Sequence, residues 1–328
     1  MTSATTTSPS LAVVVPAPAA RTFIRAVEVW TPSADNTLLE LDNGLFGSAP
    51  HFGALSRTMC FGRGEGLPGR VWEEGHPLLL KHFKGSYFRR IAAADAAGLT
   101  CGIAVPWFRA GKLTAVLVIF CGDVLAHEGA IELWRNDPRV TGDMTLADGY
   151  YGTHAEALES LSRETWLPRG AGLPGLAWQR GGAVFIDDLG TSSRFLRGEA
   201  AEAAGIQRGL AFPCPTPGDA SWVISFLSAS ETPVARRMES WVPEDDGKRL
   251  RLAYVSGQAG PGAGEVQLER AAGTIGRAFL TGVPAVSEKA GGEPGGVGNT
   301  ATAAGLGGLV AIPVLVDEVV AEVVVLYF

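Results

Sequence analysis

The chain has 328 residues, of which 46% are hydrophobic and 19% charged, with a formal net charge of −7. The apolar share excludes a disordered polymer. The acidic balance, with no basic stripe, argues against nucleic acid as a partner.

No apolar run approaches the ~18–20 residues of a membrane-spanning helix. The first residues, MTSATTTSPSLAVVVPAPAA, have an apolar core but no positive residue ahead of it, which a secretory signal requires. They are predicted to form a disordered tail over residues 1–20. The four cysteines, Cys60, Cys101, Cys121 and Cys214, include no C-x-x-C pair and are too sparse for a disulfide framework. The expectation is a cytoplasmic chain with reduced thiols.

The first predicted element is the alternating stretch Ala26-Val27-Glu28-Val29-Trp30, a strand by its period of two. A polar turn from Ser33 to Asn36 and a second strand from Thr37 to Leu41 complete a hairpin. A less regular region leads to the turn Gly66-Leu67-Pro68-Gly69 and a short helix through Val71-Trp72. A strand over Pro77 to Leu80, a variable loop and an alanine-rich helix from Arg89 to Ala97 follow. Gly98 stops that helix. Two long strands, Gly102 to Trp107 and Thr114 to Cys121, close the unit. The second is apolar at consecutive positions, as a strand covered on both faces is.

The same order recurs twice. The second unit opens at Ala130-Ile131-Glu132-Leu133-Trp134, repeats the turn as Gly172-Leu173-Pro174-Gly175, and closes its helix, Glu199 to Ala204, at Gly205. The third carries the turn as Gly273-Thr274-Ile275-Gly276, then a glycine-rich loop from Gly291 to Gly298, and ends on the apolar run Val319 to Phe328. Trp30, Trp134 and Trp241 recur, as do Pro106, Pro213 and Pro313. Gly47, Gly152 and Gly257 stand 105 residues apart in both steps. That period is a small domain, not a solenoid repeat. The units are placed at 21–125, 126–232 and 233–328, the third being the most degenerate. About ten residues separate Cys121 from Ala130, so neighbouring units must adjoin.

In the glycine turn, the strand after it and the Ala-Ala-Gly-Leu/Ile run ending in proline, the chain resembles the GAF domain family. The resemblance implies an α+β fold: three tandem domains, each an antiparallel sheet with short helices and a small-molecule pocket on one face. The long flanking helices of most GAF domains are missing from the pattern. The faces they would cover are therefore expected to be covered by the other copies or by a partner chain.

The resemblance places the pocket under the variable loop and the alanine-rich helix. In the first copy this points to Trp72, His76, Lys81, His82, Tyr87, Arg89, Arg90 and Cys101, where cationic and aromatic groups would fix an anionic or aromatic ligand. In the second it points to Trp178, Asp187, Asp188, Arg194, Phe195 and Arg208. The Asp pair suits capping and turn chemistry better than a metal. Lys81-His82 and Glu288-Lys289 stand where the second copy has that pair, and Cys101 and Gly308 stand where it has Arg208. The three sites therefore cannot share one ligand chemistry.

No nucleophile triad, phosphate loop or zinc motif is present, and no histidine recurs between copies. Three readings remain open. One is a non-enzymatic small-molecule sensor or protein-interaction module, with cofactor unknown, that signals through a partner because no output domain is read in the chain. Another is a structural scaffold with filled pockets. The third is a thiol redox enzyme using Cys60 or Cys101.

Overall fold

The computed structural model describes residues 21–122, 129–152, 155–244, 247–256 and 266–328. The tail expected over 1–20, the boundary placed at 125–126 and Gly257 lie outside the described residues. The first copy runs β1 (Ile24–Pro32), β2 (Leu38–Leu45), α1 (Pro50–Ser56), β3 (Cys60–Gly62), α2 (Gly66–Glu74), β4 (Leu78–Leu80), α3 (Ile91–Ala96), β5 (Cys101–Arg109) and β6 (Lys112–Cys121). The second runs β7 (Gly129–Asn136), β8 (Met144–Tyr150), α4 (Glu156–Glu164), β9 (Trp166–Leu167), α5 (Gly172–Arg180), β10 (Val184–Ile186), α6 (Gly198–Ala203), β11 (Arg208–Cys214) and β12 (Ser221–Ser228). The third runs β13 (Arg237–Pro243), β14 (Arg249–Val255), β15 (Gln267–Glu269), α7 (Gly273–Thr281), β16 (Ala285–Ser287), α8 (Gly295–Ala303), β17 (Leu309–Val316) and β18 (Val319–Tyr327).

Each copy is one six-stranded antiparallel sheet with the same order, β3-β2-β1-β6-β5-β4 in the first, and its counterparts in the second and third. Two features depart from the sequence reading. The less regular region after the first hairpin holds a helix, α1 in the first copy and α4 in the second. The stretch Gly291 to Gly298 is not a loop throughout, because Gly295 starts the nine-residue helix α8, which buries Val297 and Ala301. The longest helices among the described residues run nine residues.

The glycine turn has a steric cause. Its first glycine takes a left-handed φ in every copy: +58° at Gly66, +64° at Gly172 and +63° at Gly273. Its last lies against backbone. A Cβ on Gly69 would stand 2.0 Å from the Gly62 carbonyl oxygen, and one on Gly175 2.6 Å from that of Pro168. Glycine is required where one backbone segment approaches another this closely.

The pairing of the first two strands in each copy carries a bulge that falls, on the opening strand, between Val29 and Trp30, Leu133 and Trp134, and Ser240 and Trp241. The extra residue sits on the second strand and re-aims its neighbours. The residues beside the bulge are Asn43, Asp148 and Tyr254.

The cores form in two layers. Under its helices each copy has its own cluster, built in the first around Trp30, Phe52 and Phe120, in the second around Trp134 and Leu158, and in the third around Trp241 and Tyr327. The opposite faces of all three sheets meet in one shared cluster that joins Val27, Ile103 and Ile119 to Leu133, Phe212 and Ile224, and to Val310, Ile312 and Val324. The copies therefore cover one another, which explains why their central strands are apolar on both faces.

Two of the three joints use equivalent residues: the first residue after the fourth strand of one copy meets the residue beside the bulge in the next. Lys81 Nζ donates to Asp148 Oδ1 at 2.8 Å. The Tyr254 hydroxyl donates to Asp187 at 3.2 Å, and its ring stacks on Phe185 at 4.1 Å. The ring closes from the third copy to the first: the Asn43 amide donates to the Val286 carbonyl at 3.2 Å, and Arg57 pairs with Glu288 at 2.9 Å. A head-to-tail interface whose rotation closes gives a ring, here within one chain.

Candidate binding sites

The face where the resemblance places a ligand carries a buried polar network that recurs as Glu-x-Trp on the opening strand. In the first copy Glu28 is fully buried and accepts from Trp30 Nε1 at 2.9 Å and from Arg90 at 3.0 Å. Arg90 also donates to the Ser56 hydroxyl, which donates in turn to the Phe52 carbonyl at 2.8 Å. The Arg90 guanidinium lies over Phe52 at 4.3 Å and near Phe88 and Phe120.

The second copy repeats the arrangement. Glu132 accepts from Trp134 and Arg197, both at 2.9 Å, and from the Tyr151 hydroxyl at 2.8 Å, while Arg197 also reaches Ser162. Burial alone would raise the Glu132 carboxyl. The Arg197 guanidinium, helped by Trp134 and Tyr151, outweighs it and holds Glu132 below the usual carboxylate range. Burial and the adjacent Glu132 carboxylate push the Tyr151 phenol well up.

In the third copy Glu239 accepts from Trp241 and from the Tyr327 hydroxyl, both at 2.8 Å, and from Arg237 at 2.6 Å. Pro294 stands before α8 where Arg90 and Arg197 stand before α3 and α6, so the cation comes from β13 instead.

The residues proposed from sequence fall into four surroundings. Arg90 and Phe195 belong to the buried networks, Phe195 lying under the Arg197 guanidinium at 4.9 Å. Lys81, Asp187, His76 and Arg208 lie at joints. The His76 ring stacks on Trp222 of the second copy at 4.7 Å, and Arg208 is close enough to Tyr254 to act on its phenol electrostatically. Cys101 is buried in the shared core beside Cys121, whose thiol is pushed well up by burial and by Cys101.

The others lie at the surface or on the rim of the helix layer. Trp72 is half-buried against the outer core of the first copy, and Trp178 is half-buried under Arg169 at 5.5 Å. His82 and Arg194 are exposed. Asp188 accepts from the Gly190 and Thr191 amides at 3.1 and 3.2 Å; its contacts with Thr191 come first in holding its carboxyl below the usual range. Among the described residues no group of three histidine, cysteine or acidic side chains could hold a metal ion.

Tyr87 and Arg89 come together at a groove of about 680 Å³ beside the first glycine turn. The Arg70 guanidinium lies over Tyr87 at 4.1 Å, and Arg89 pairs with Glu65 at 3.0 Å. Burial raises the Tyr87 phenol, partly opposed by Arg70.

A larger cleft, about 820 Å³, opens between the third copy and the first. Leu45, Phe46, Gly308 and Phe328 line it together with Arg21, Arg25, Arg57, Arg236 and Glu288. It is not legible in the sequence, because its walls come from residues 21–98 and 236–328, far apart in the chain.

No family model matches the chain, and no curated protein does. Solved structures do. The chain is similar to the nlh2 GAF domain of A. aeolicus in an inactive state (20% identity over 31% of this chain and 60% of that one, TM-score 0.25). It is also similar to a free methionine-R-sulfoxide reductase from Neisseria meningitidis in complex with its substrate (20% identity, 33% and 55%, TM-score 0.24). A third is the GAF domain of a phosphoenolpyruvate-protein phosphotransferase from Coxiella burnetii (19% identity, 33% and 61%, TM-score 0.27). In each case the matched stretch is about one copy long and spans less than two thirds of the other chain. Three six-stranded antiparallel sheets of one order, each under short helices, make this chain three tandem copies of one α+β domain.

Proposed function

We propose that the chain is a non-enzymatic sensing and interaction module of GAF type, in which three copies act as one body and pass their signal by contact with another protein. The observation that carries this reading is the shared inner core. Sheet faces from all three copies are packed into one cluster, so a change at one joint is felt by the other two.

The chemistry of the thiols supports a non-enzymatic role. Cys101, Cys121 and Cys214 are buried, and burial pushes the thiols of Cys121 and Cys214 well above the range in which a nucleophilic thiolate forms. Cys60 is exposed on the edge strand β3. The recurring glutamates are consumed by internal donors, which suits a structural task better than proton transfer.

A thermal-shift screen with nucleotides, haem, tetrapyrroles and amino acids tests the sensing half. A melt raised by several degrees with one ligand class supports it, and a melt unmoved by all of them overturns it.

A further inference from the structure

We infer that the cleft between the third copy and the first is a binding site for a small organic anion with an apolar body. Its volume of about 820 Å³ falls in the range of roughly 300–1,000 Å³ typical of small-molecule sites. Its charge is the first argument. Four arginines line it against one acid, Glu288, in a chain whose net charge is −7. Positive charge gathered in one concave place raises the local concentration of anions and offers them forked donors.

The arginines are anchored unequally. Arg236 is exposed and donates to the Gly305 and Ala304 carbonyls at 2.7 and 3.4 Å, which holds its guanidinium at the C-terminal end of α8. Arg57 is half exposed and pairs with the equally exposed Glu288. That pair contributes little in water, so an incoming carboxylate, phosphate or sulfonate can replace Glu288 at modest cost.

The reason for the opening is the second argument. At the joint from the first copy to the second, the hydroxyls of Thr100 and Tyr150 meet at 3.0 Å across the gap. At the joint from the third copy to the first, the equivalent residues are Gly307 and Leu45, which cannot make that bridge. Gly308 stands where the other copies have Cys101 and Arg208. A Cβ there would lie 2.4 Å from Leu45 Cδ1, so Leu45 depends on its being glycine. The Gly308 position is thus filled by Leu45, whereas a Cβ on Gly307 would meet only the Phe328 carbonyl, at 3.6 Å; the space lies beside Gly307, and its walls are apolar at Leu45, Phe46 and Phe328 and cationic at the rim.

This inference deepens the sensing half of the proposed function and rests on it for its meaning: an occupant would bridge two copies and bias the joint. Its test is separable. The probes are 1-anilinonaphthalene-8-sulfonate, an aromatic anion, and N-phenyl-1-naphthylamine, its neutral counterpart. The native chain is expected to bind one sulfonate per chain, and more tightly than the neutral dye. The double variant Arg21→Ala/Arg236→Ala, confined to exposed side chains, should weaken the sulfonate by about tenfold with circular dichroism unchanged. Gly307→Phe should abolish binding, and if it does not fold the arginine variant decides.

Equal affinity for both dyes, or sulfonate binding untouched in the arginine variant, overturns the inference. If the cleft binds as expected while the bound dye leaves the melt and protease sensitivity of the joints unchanged, the cleft stands and the sensing reading fails.

Discussion

Removing Arg197 isolates the buried network from the rest of the fold. Arg197 is 3% and Glu132 0% exposed, so Arg197→Met leaves a carboxylate inside the second copy with only neutral donors, Trp134, Tyr151 and Ser162. Breaking a buried pair from one side costs about 3–5 kcal/mol. In the native protein the Glu132 carboxyl titrates below its ordinary value. Its stabilisation is therefore complete above the unfolded pKa of about 4.3 and is lost as pH falls through the lower folded value. Without Arg197, burial dominates and the folded pKa rises above the unfolded one. The penalty is then absent at low pH and grows as pH rises through that raised value. The variant should lag the native protein most at pH 7.5 and approach it near pH 4.5, as read from urea unfolding by far-UV circular dichroism. Glu132→Gln/Arg197→Met, which removes both charges, should cost less than Arg197→Met. A deficit under about 1 kcal/mol at pH 7.5, or one that does not narrow toward pH 4.5, refutes the reasoning.

The glycine turn and the thiols give two further tests. Gly69→Ala should destabilise by about 1–3 kcal/mol and by more than Gly175→Ala, because its Cβ would meet a backbone oxygen at 2.0 Å and not 2.6 Å; equal melting points for the two variants would contradict the steric account. With an aromatic disulfide reagent the native chain should release one equivalent from Cys60 quickly, and the remaining three only on unfolding. Two or more fast equivalents would mean that the inner core opens.

The framework of the fold was legible because it depends on local chemistry. A left-handed φ and a close backbone approach demand glycine wherever the turn occurs, and three occurrences reveal the period. The helix α8 was not legible, since its run of glycines has poor helix propensity and is held by burial of Val297 and Ala301. The network at Glu28, Glu132 and Glu239 is not legible, although its tryptophans recur in plain sight. A charged residue alternating with valine reads as solvent-facing, and nothing local announces that Arg90 lies above it, 62 residues on. Comparing the copies puts Lys81 and Asp187 at equivalent positions near the expected pocket but does not reveal their neighbours. Each instead meets a residue 67 positions further along, in the next copy.

That equal separation also explains why the polar positions diverge while the framework does not. Three identical subunits would make one joint three times. A single chain makes three joints between unequal neighbours, and different pairs keep each copy beside the correct one: Lys81 with Asp148, Tyr254 with Asp187, and Arg57 with Glu288 beside the Asn43 contact. Unlike polar pairs at the three joints add a penalty against pairing the wrong faces. Lys81 and Asp148 are each about one third exposed, so their attraction is worth under about 1 kcal/mol. Lys81→Asp, however, sets two carboxylates against each other and should cost about 1–2 kcal/mol. Adding Asp148→Lys restores opposite charges with their order reversed and should recover most of that loss in urea unfolding. If the double variant stays as unstable as Lys81→Asp, the joint is held by shape alone, and the divergence of these positions has another cause.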